Sequence, residues 1–136
     1  MNYSSRVLVN VCLIVSFCAL AFAQTQPHKG SADIPFEFYV GSEKLPAGRY
    51  SIELVSPSYA MLRSQDGKKE LALYFVQVGE PPKEPEMKLV FATRDQKHLL
   101  AEAWGWFGKA QYTGFDTKAG DQMQSVLIKP SQKAGN

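Results

Sequence analysis

Cysteine is scarce in this chain and confined to its start: Cys12 and Cys18 are the only two, and none follows. Once the first 23 residues are removed, as argued below, no disulfide can form and stability has to come from packing alone. Histidine is as sparse. His28 and His98 match no zinc or two-His-one-carboxylate spacing, so neither a metal nor a cofactor is expected. Nucleophile and phosphate-cradling motifs are missing too, with no Gly-x-Ser-x-Gly and no glycine-rich loop, which disfavours a hydrolase. Charge of one sign is also lacking. Beyond residue 23 there remain 14 basic and 13 acidic residues, and Lys68-Lys69 is the one adjacent basic pair, so nucleic acid is not an expected partner. The last absence is helical periodicity: after residue 23 no window of helical length carries an apolar stripe at 3.6 spacing.

What is present begins with the N-terminus. Arg6 precedes an apolar run from Val7 to Phe22, interrupted by Asn10 and Ser16 and ending in Ala21-Phe22-Ala23 before Gln24. This is the pattern of a secretory signal peptide over residues 1–23, cleaved rather than kept as an anchor. Lipid attachment is rejected because Phe17 before Cys18 and Val11 before Cys12 are larger than such processing accepts. Cleavage leaves 113 residues, enough for one domain with one core. The expectation is an exported bacterial protein, periplasmic or extracellular, with no transmembrane segment after cleavage.

Residues 24–32 are polar, contain Pro27 and Gly30, and read as a flexible leader. From Asp33 onward Ile34, Phe36, Phe38 and Val40 alternate with Pro35, Glu37 and Tyr39, the period of a half-buried strand. Leu45-Pro46-Ala47-Gly48 reads as a turn, followed by a strand with Tyr50, Ile52 and Leu54 on one face. Its likeness to a Leu-Pro-x-Thr-Gly wall-sorting signal fails for want of the threonine and of an apolar tail. Two hairpins are predicted, 59–63 with 70–78 around Asp66-Gly67, and 88–94 with 98–104 around Asp95-Gln96-Lys97. Their similar segments leave open a degenerate repeat. Between them, 79–86 is rich in proline and reads as an exposed loop; Pro81-Pro82 with Pro85 as a polyproline ligand is the lesser reading. Short strands are predicted at 110–112 and 124–129, and a disordered tail at 130–136. The fold class is all-β: a small antiparallel sandwich or barrel built of hairpins, about 7–8 strands, in a single domain over 33–129.

Among residues that carry chemistry, Trp104-Gly105-Trp106-Phe107-Gly108 leads. Two tryptophans two apart share one side of an extended chain, and an aromatic pair flanked by glycines is a platform on which sugar rings stack. Trp104, Trp106 and Phe107 are therefore the candidate ligand-binding residues, against the commoner use of indoles in covering a core. His98 reads as a solvated turn histidine. Glu37, Glu53, Glu70 and Glu102 all fall in predicted strands, and Glu102, between Ala101 and Ala103, is the one whose face is least predictable. No catalytic residue is assigned.

The run Ile34-Pro35-Phe36-Glu37-Phe38-Tyr39-Val40-Gly41, followed by Leu45-Pro46-Ala47-Gly48-Arg49-Tyr50, resembles a group of small exported, β-rich bacterial proteins of unknown function, frequent in soil bacteria. They open with a Pro-Phe-x-Phe-x-Val-Gly strand and a Leu-Pro-Ala-Gly-x-Tyr turn. Leu62-Arg63-Ser64 with Asp66-Gly67, Leu89-Val90-Phe91 and the stretch from Leu99 to Trp104 are similar to the same group's later blocks, so the likeness covers about Asp33 to Trp104. It implies export and a β fold, and no activity; beyond Trp104 the chain departs from the pattern. The sequence therefore points to a non-enzymatic binding or envelope-associated structural module, its partners carbohydrate or envelope components. The rivals are a small polysaccharide-acting enzyme using Glu102, and a carrier whose barrel encloses an apolar ligand among Phe36, Phe38, Tyr50 and Phe75.

Overall fold

In the computed structural model, which describes residues 28–131 apart from 82 and 85, alternating apolar residues build eleven strands and no helix. These are β1 (His28–Ile34), β2 (Phe38–Val40), β3 (Glu43–Leu45), β4 (Gly48–Ser56), β5 (Tyr59–Ser64), β6 (Glu70–Gln77), β7 (Lys88–Arg94), β8 (Lys97–Gly105), β9 (Gly108–Tyr112), β10 (Gln122–Leu127) and β11 (Lys129–Pro130). The predicted signal peptide, the start of the leader and residues 132–136 lie outside the described residues, as do two of the three prolines of the polyproline reading. The count exceeds the expected seven or eight because β2, β3 and β11 are only two or three residues long.

Hydrogen-bonded neighbours follow the path β10-β7-β8-β9-β6-β5-β4-β1-β11, with β2 and β3 attached beside β8. β6 serves both halves: Tyr59 to Arg63 pair with its first part, Tyr112 to Ala110 with its last. The path does not close by a ladder between its ends. Those ends, β10 and β11, are instead consecutive parts of one segment split at Ile128, so the same stretch pairs with β7 and then with β1. Ile128 N–H donates to Met87 O at 2.9 Å where the segment changes partner.

Inside the curl, one face of each strand meets a common core. Tyr50, Ile52 and Leu54 of β4, Ala60 and Leu62 of β5, Leu73 and Phe75 of β6, and Leu89 and Phe91 of β7 are buried as the alternation requires. Phe38 lies edge-on to both Tyr50 and Phe91, centroids 5.3 Å apart in each pair, and Phe36 edge-on to Phe91 at 5.1 Å. Phe75 meets Tyr112 at 6.0 Å. The aromatic residues proposed to line a ligand cavity are thus packed against other rings.

Both hairpins form where expected. At the second, Arg94 pairs with Lys97 and the two residues between, Asp95 and Gln96, have φ of 51° and 63°. That geometry is a type I′ turn made without glycine.

Five expectations need correction. Residues 28–32 are not leader: they belong to β1, which pairs with β4 from His28↔Leu54 to Ile34↔Gly48. Gly30 marks a close approach rather than flexibility, since a Cβ there would stand 2.5 Å from Ile128 Cγ2 and 2.7 Å from Lys129 O. Likewise Pro130 belongs to β11, not to a tail. The run 34–40 is broken after Ile34, so Glu37 lies between strands, and the predicted turn 45–48 narrows to Pro46 and Ala47, with Leu45 ending β3 and Gly48 opening β4. Pairing is not antiparallel throughout, because β2 lies parallel to β8 through Phe38↔His98 and Tyr39↔Leu99. Such a contact joins residues 60 apart and leaves no local signal.

Candidate functional site

The face that carries Trp104 is set by an irregularity in β8. Val90 pairs with Glu102 but Phe91 with Leu100, so Ala101 is the extra residue of a β-bulge. Before it Leu100 points to the core, and after it Ala103 does, which turns Ala101, Glu102 and Trp104 to the outer surface. The ambiguous phase of Glu102 is explained by this inserted residue.

Trp104 sits in the middle of a row, opposite Lys88 of β7 on one side and Lys109 of β9 on the other. Lys88 Nζ lies 4.5 Å from the indole centroid, a cation–π contact, and also pairs with Glu86 at 3.2 Å. The indole N–H donates to Glu102 Oε2 at 3.0 Å, and Lys109 Nζ reaches Glu102 Oε1 at 3.0 Å. Both oxygens of the Glu102 carboxylate are thus engaged, and the half-buried indole is fixed in plane and tilt by two neighbours. Such fixing lowers the entropy lost on stacking a ligand.

The other two candidates go elsewhere. Trp106 and Phe107 form the two-residue turn between Gly105 and Gly108. Trp106 turns to β1, its ring 4.2 Å from that of His28, while Phe107 is buried in the core and meets Trp106 edge-on at 4.8 Å. The turn is drawn tight against the rest of the molecule. Gln77 Nε2 donates to Phe107 O at 2.8 Å, and Gly108, with φ of 92°, lies where a Cβ would be 3.0 Å from Glu80 O. The structure therefore brings Trp106 and Phe107 together and leaves Trp104 on the strand face.

The remaining chemistry-bearing residues are largely paired. Glu53 lies 4.0 Å from Lys29, Glu70 Oε2 3.1 Å from Arg63 and Glu37 Oε1 3.1 Å from Lys44. His98 is not a freely solvated turn residue: it is half-buried, stacked on Phe36 at 3.9 Å, with Nδ1 3.2 Å from Thr93 Oγ1. Among the described residues no group of three or more His, Cys, Asp or Glu comes together in a way that would hold a metal.

One feature had no sequence signal. The outer side of β7 and β8, apolar at Ala92 and Ala101, is covered by Phe115 from the segment between β9 and β10. Arg94 fastens that segment, its Nε and Nη2 donating to the two Asp121 oxygens at 2.9 and 2.6 Å and Nη2 also to Asp116 O at 2.8 Å. Asp121 is almost fully covered, and the Arg94 guanidinium, with the Lys118 backbone N–H, lowers its pKa to about 2. The partners are 27 residues apart, so no local pattern announces them.

No family model, curated protein or solved structure matches this chain.

Proposed function

We propose that this chain is an exported, non-enzymatic β domain that binds carbohydrate of the bacterial envelope or its surroundings on the face that carries Trp104. The observation that supports this is the indole itself: half-buried, on a rigid strand, and held by Lys88 and Glu102. A stacking surface of this kind needs an immobile aromatic ring beside hydrogen-bonding groups, and Glu102 and Lys109 supply them. The resemblance to small exported β-rich proteins accords with the export and the β fold in this reading.

The test uses the protein's two tryptophans as reporters. Acrylamide quenching of wild type, Trp104→Phe and Trp106→Phe is followed while a soluble β-glucan, a xylan and a galactomannan are added in turn. The reading requires that Trp104 emission be quenchable and become protected by at least one glycan, and that Trp104→Ala weaken binding about tenfold, the equivalent of ~1.4 kcal/mol. Unprotected Trp104 across the panel overturns it. Release of reducing ends by wild type, lost in Glu102→Gln, would move the chain to the enzyme class. Export is checked by the mature N-terminus, expected at Gln24 by mass spectrometry of protein from the extracytoplasmic fraction.

A further inference from the structure

Three strands away from Lys88, the outer surface changes character. Elsewhere its rows are laced by ion pairs, Lys29–Glu53 and Arg49–Asp33 among them. Segments 54–62, 71–79 and 110–115, which supply most of β5, β6 and β9, contain no charged residue, and the charged members of those strands, Arg63, Glu70 and Lys109, lie just beyond them and are paired. On them Tyr74 and Val76 are 57% and 58% exposed, and the Tyr59 and Tyr74 rings, directly opposite across β5 and β6, lie 5.5 Å apart.

This patch and the Trp104 face are one surface. Register carries Val76 to Gln111 and Gln111 to Glu102, so the outward row through Val76 ends beside Trp104, and Tyr74 stands one outward step further along β6. Gln111 is held in the middle, Nε2 donating to Phe115 O at 3.0 Å. Beside it an open groove of about 330 Å³ lies between Val76, Tyr112, Thr113 and Asp116. From Tyr74 to Trp104 the run crosses two inter-strand gaps and about four residues of strand, roughly 17 Å by standard sheet spacings.

We propose that Tyr74, Val76 and Gln111 extend the Trp104 site into a diagonal track for a single neutral polysaccharide chain, with Tyr74 and Trp104 as stacking stations at its two ends. The inference rests on the reading of Trp104 as a sugar-binding residue. Charge selects the ligand class, because the track offers no unpaired cation to an acidic polymer: Lys109 is joined to Glu102 and Lys88 to Glu86. A linear ligand needs only separated planar contacts with hydrogen-bonding groups between them, here Gln111 and Thr113.

The experiment measures affinity electrophoresis and calorimetry of wild type, Tyr74→Ala, Tyr74→Phe and Trp104→Ala with the neutral polysaccharide that protects Trp104 and with the disaccharide of the same repeat. Tyr74→Ala, an exposed position whose loss leaves the core intact, is expected to weaken polysaccharide binding at least tenfold and to leave the disaccharide unchanged, while Tyr74→Phe binds like wild type. Polysaccharide binding by Tyr74→Ala equal to wild type overturns the track, and leaves the Trp104 reading standing if Trp104→Ala still loses binding. If no glycan binds wild type, both fail together. Concentration-dependent dimerisation in sedimentation that Tyr74→Ala abolishes would also overturn it, by making a second copy the occupant.

Discussion

A single carboxylate shows how far one side chain reaches in this molecule. Asp121 accepts two hydrogen bonds from Arg94 and one from the Lys118 N–H, and those contacts hold its pKa at about 2, below the roughly 3.9 of an unfolded aspartate. A group whose folded pKa is depressed contributes stability that is complete above the unfolded pKa and is lost as pH falls through the folded one. The contribution of Asp121 therefore disappears between about pH 4 and pH 2. Asp33 and Asp66, lowered by Arg49 and by Ser64 respectively, add to acid sensitivity in the same direction. In urea titrations the midpoint gap between wild type and Asp121→Asn should be clear at pH 5 and shrink at pH 2.5; an equal gap at both would assign the residue a role unrelated to its charge.

At the level of elements, the β7–β8 hairpin turns on two residues of positive φ that are not glycine. Left-handed backbone strains a residue with a Cβ, and Gln96 at φ 63° occupies a position that type I′ turns commonly give to glycine. Gln96→Gly should stabilise the protein by about 0.5–1 kcal/mol, less the flexibility glycine adds to the unfolded chain. Thermal unfolding of that variant decides the matter, and no gain would mean the turn is held by its tertiary contacts.

The same hairpin shows what could be read in advance. Hairpins at 59–77 and 88–105 were legible because register and turn lie within a few residues, as did the buried alternation of Tyr50, Ile52 and Leu54. β1 was not, since its polar start owes its order to β4 and β11 rather than to any period of its own. Trp104 was legible as a candidate, but its separation from Trp106 was not. Two residues of equal parity part company because one lies within a strand and the other begins a turn. The bulge at Ala101 and the Arg94–Asp121 clamp are likewise written in contacts between distant segments.

For the molecule as a whole, the segment through Ile128 is what holds the curl of the sheet together. Its first part pairs with β7, its last with β1, and the side chain between is buried against Gly30. Ile128→Ala removes most of a buried aliphatic side chain and should cost about 2–5 kcal/mol. Hydrogen exchange on that variant is expected to rise first in β1 and β11, where the mean register spans about a hundred residues, and uniform loss of protection across all strands would contradict a local seam.

That seam also fixes an order of events in time. Every other pairing of β1 is with β4, so a chain delivered from its N-terminal end can zip β4 to β5, β5 to β6 and β7 to β8 while one edge of β1 still waits for residues 129–130. Contacts across such sequence separation are slow to form, because the loop must close before any bond rewards it. Until they do, a row of backbone donors and acceptors on β1 stays open to any extended chain nearby, and the interval before closure is when this protein is most exposed to aggregation, and to a chaperone that binds strands.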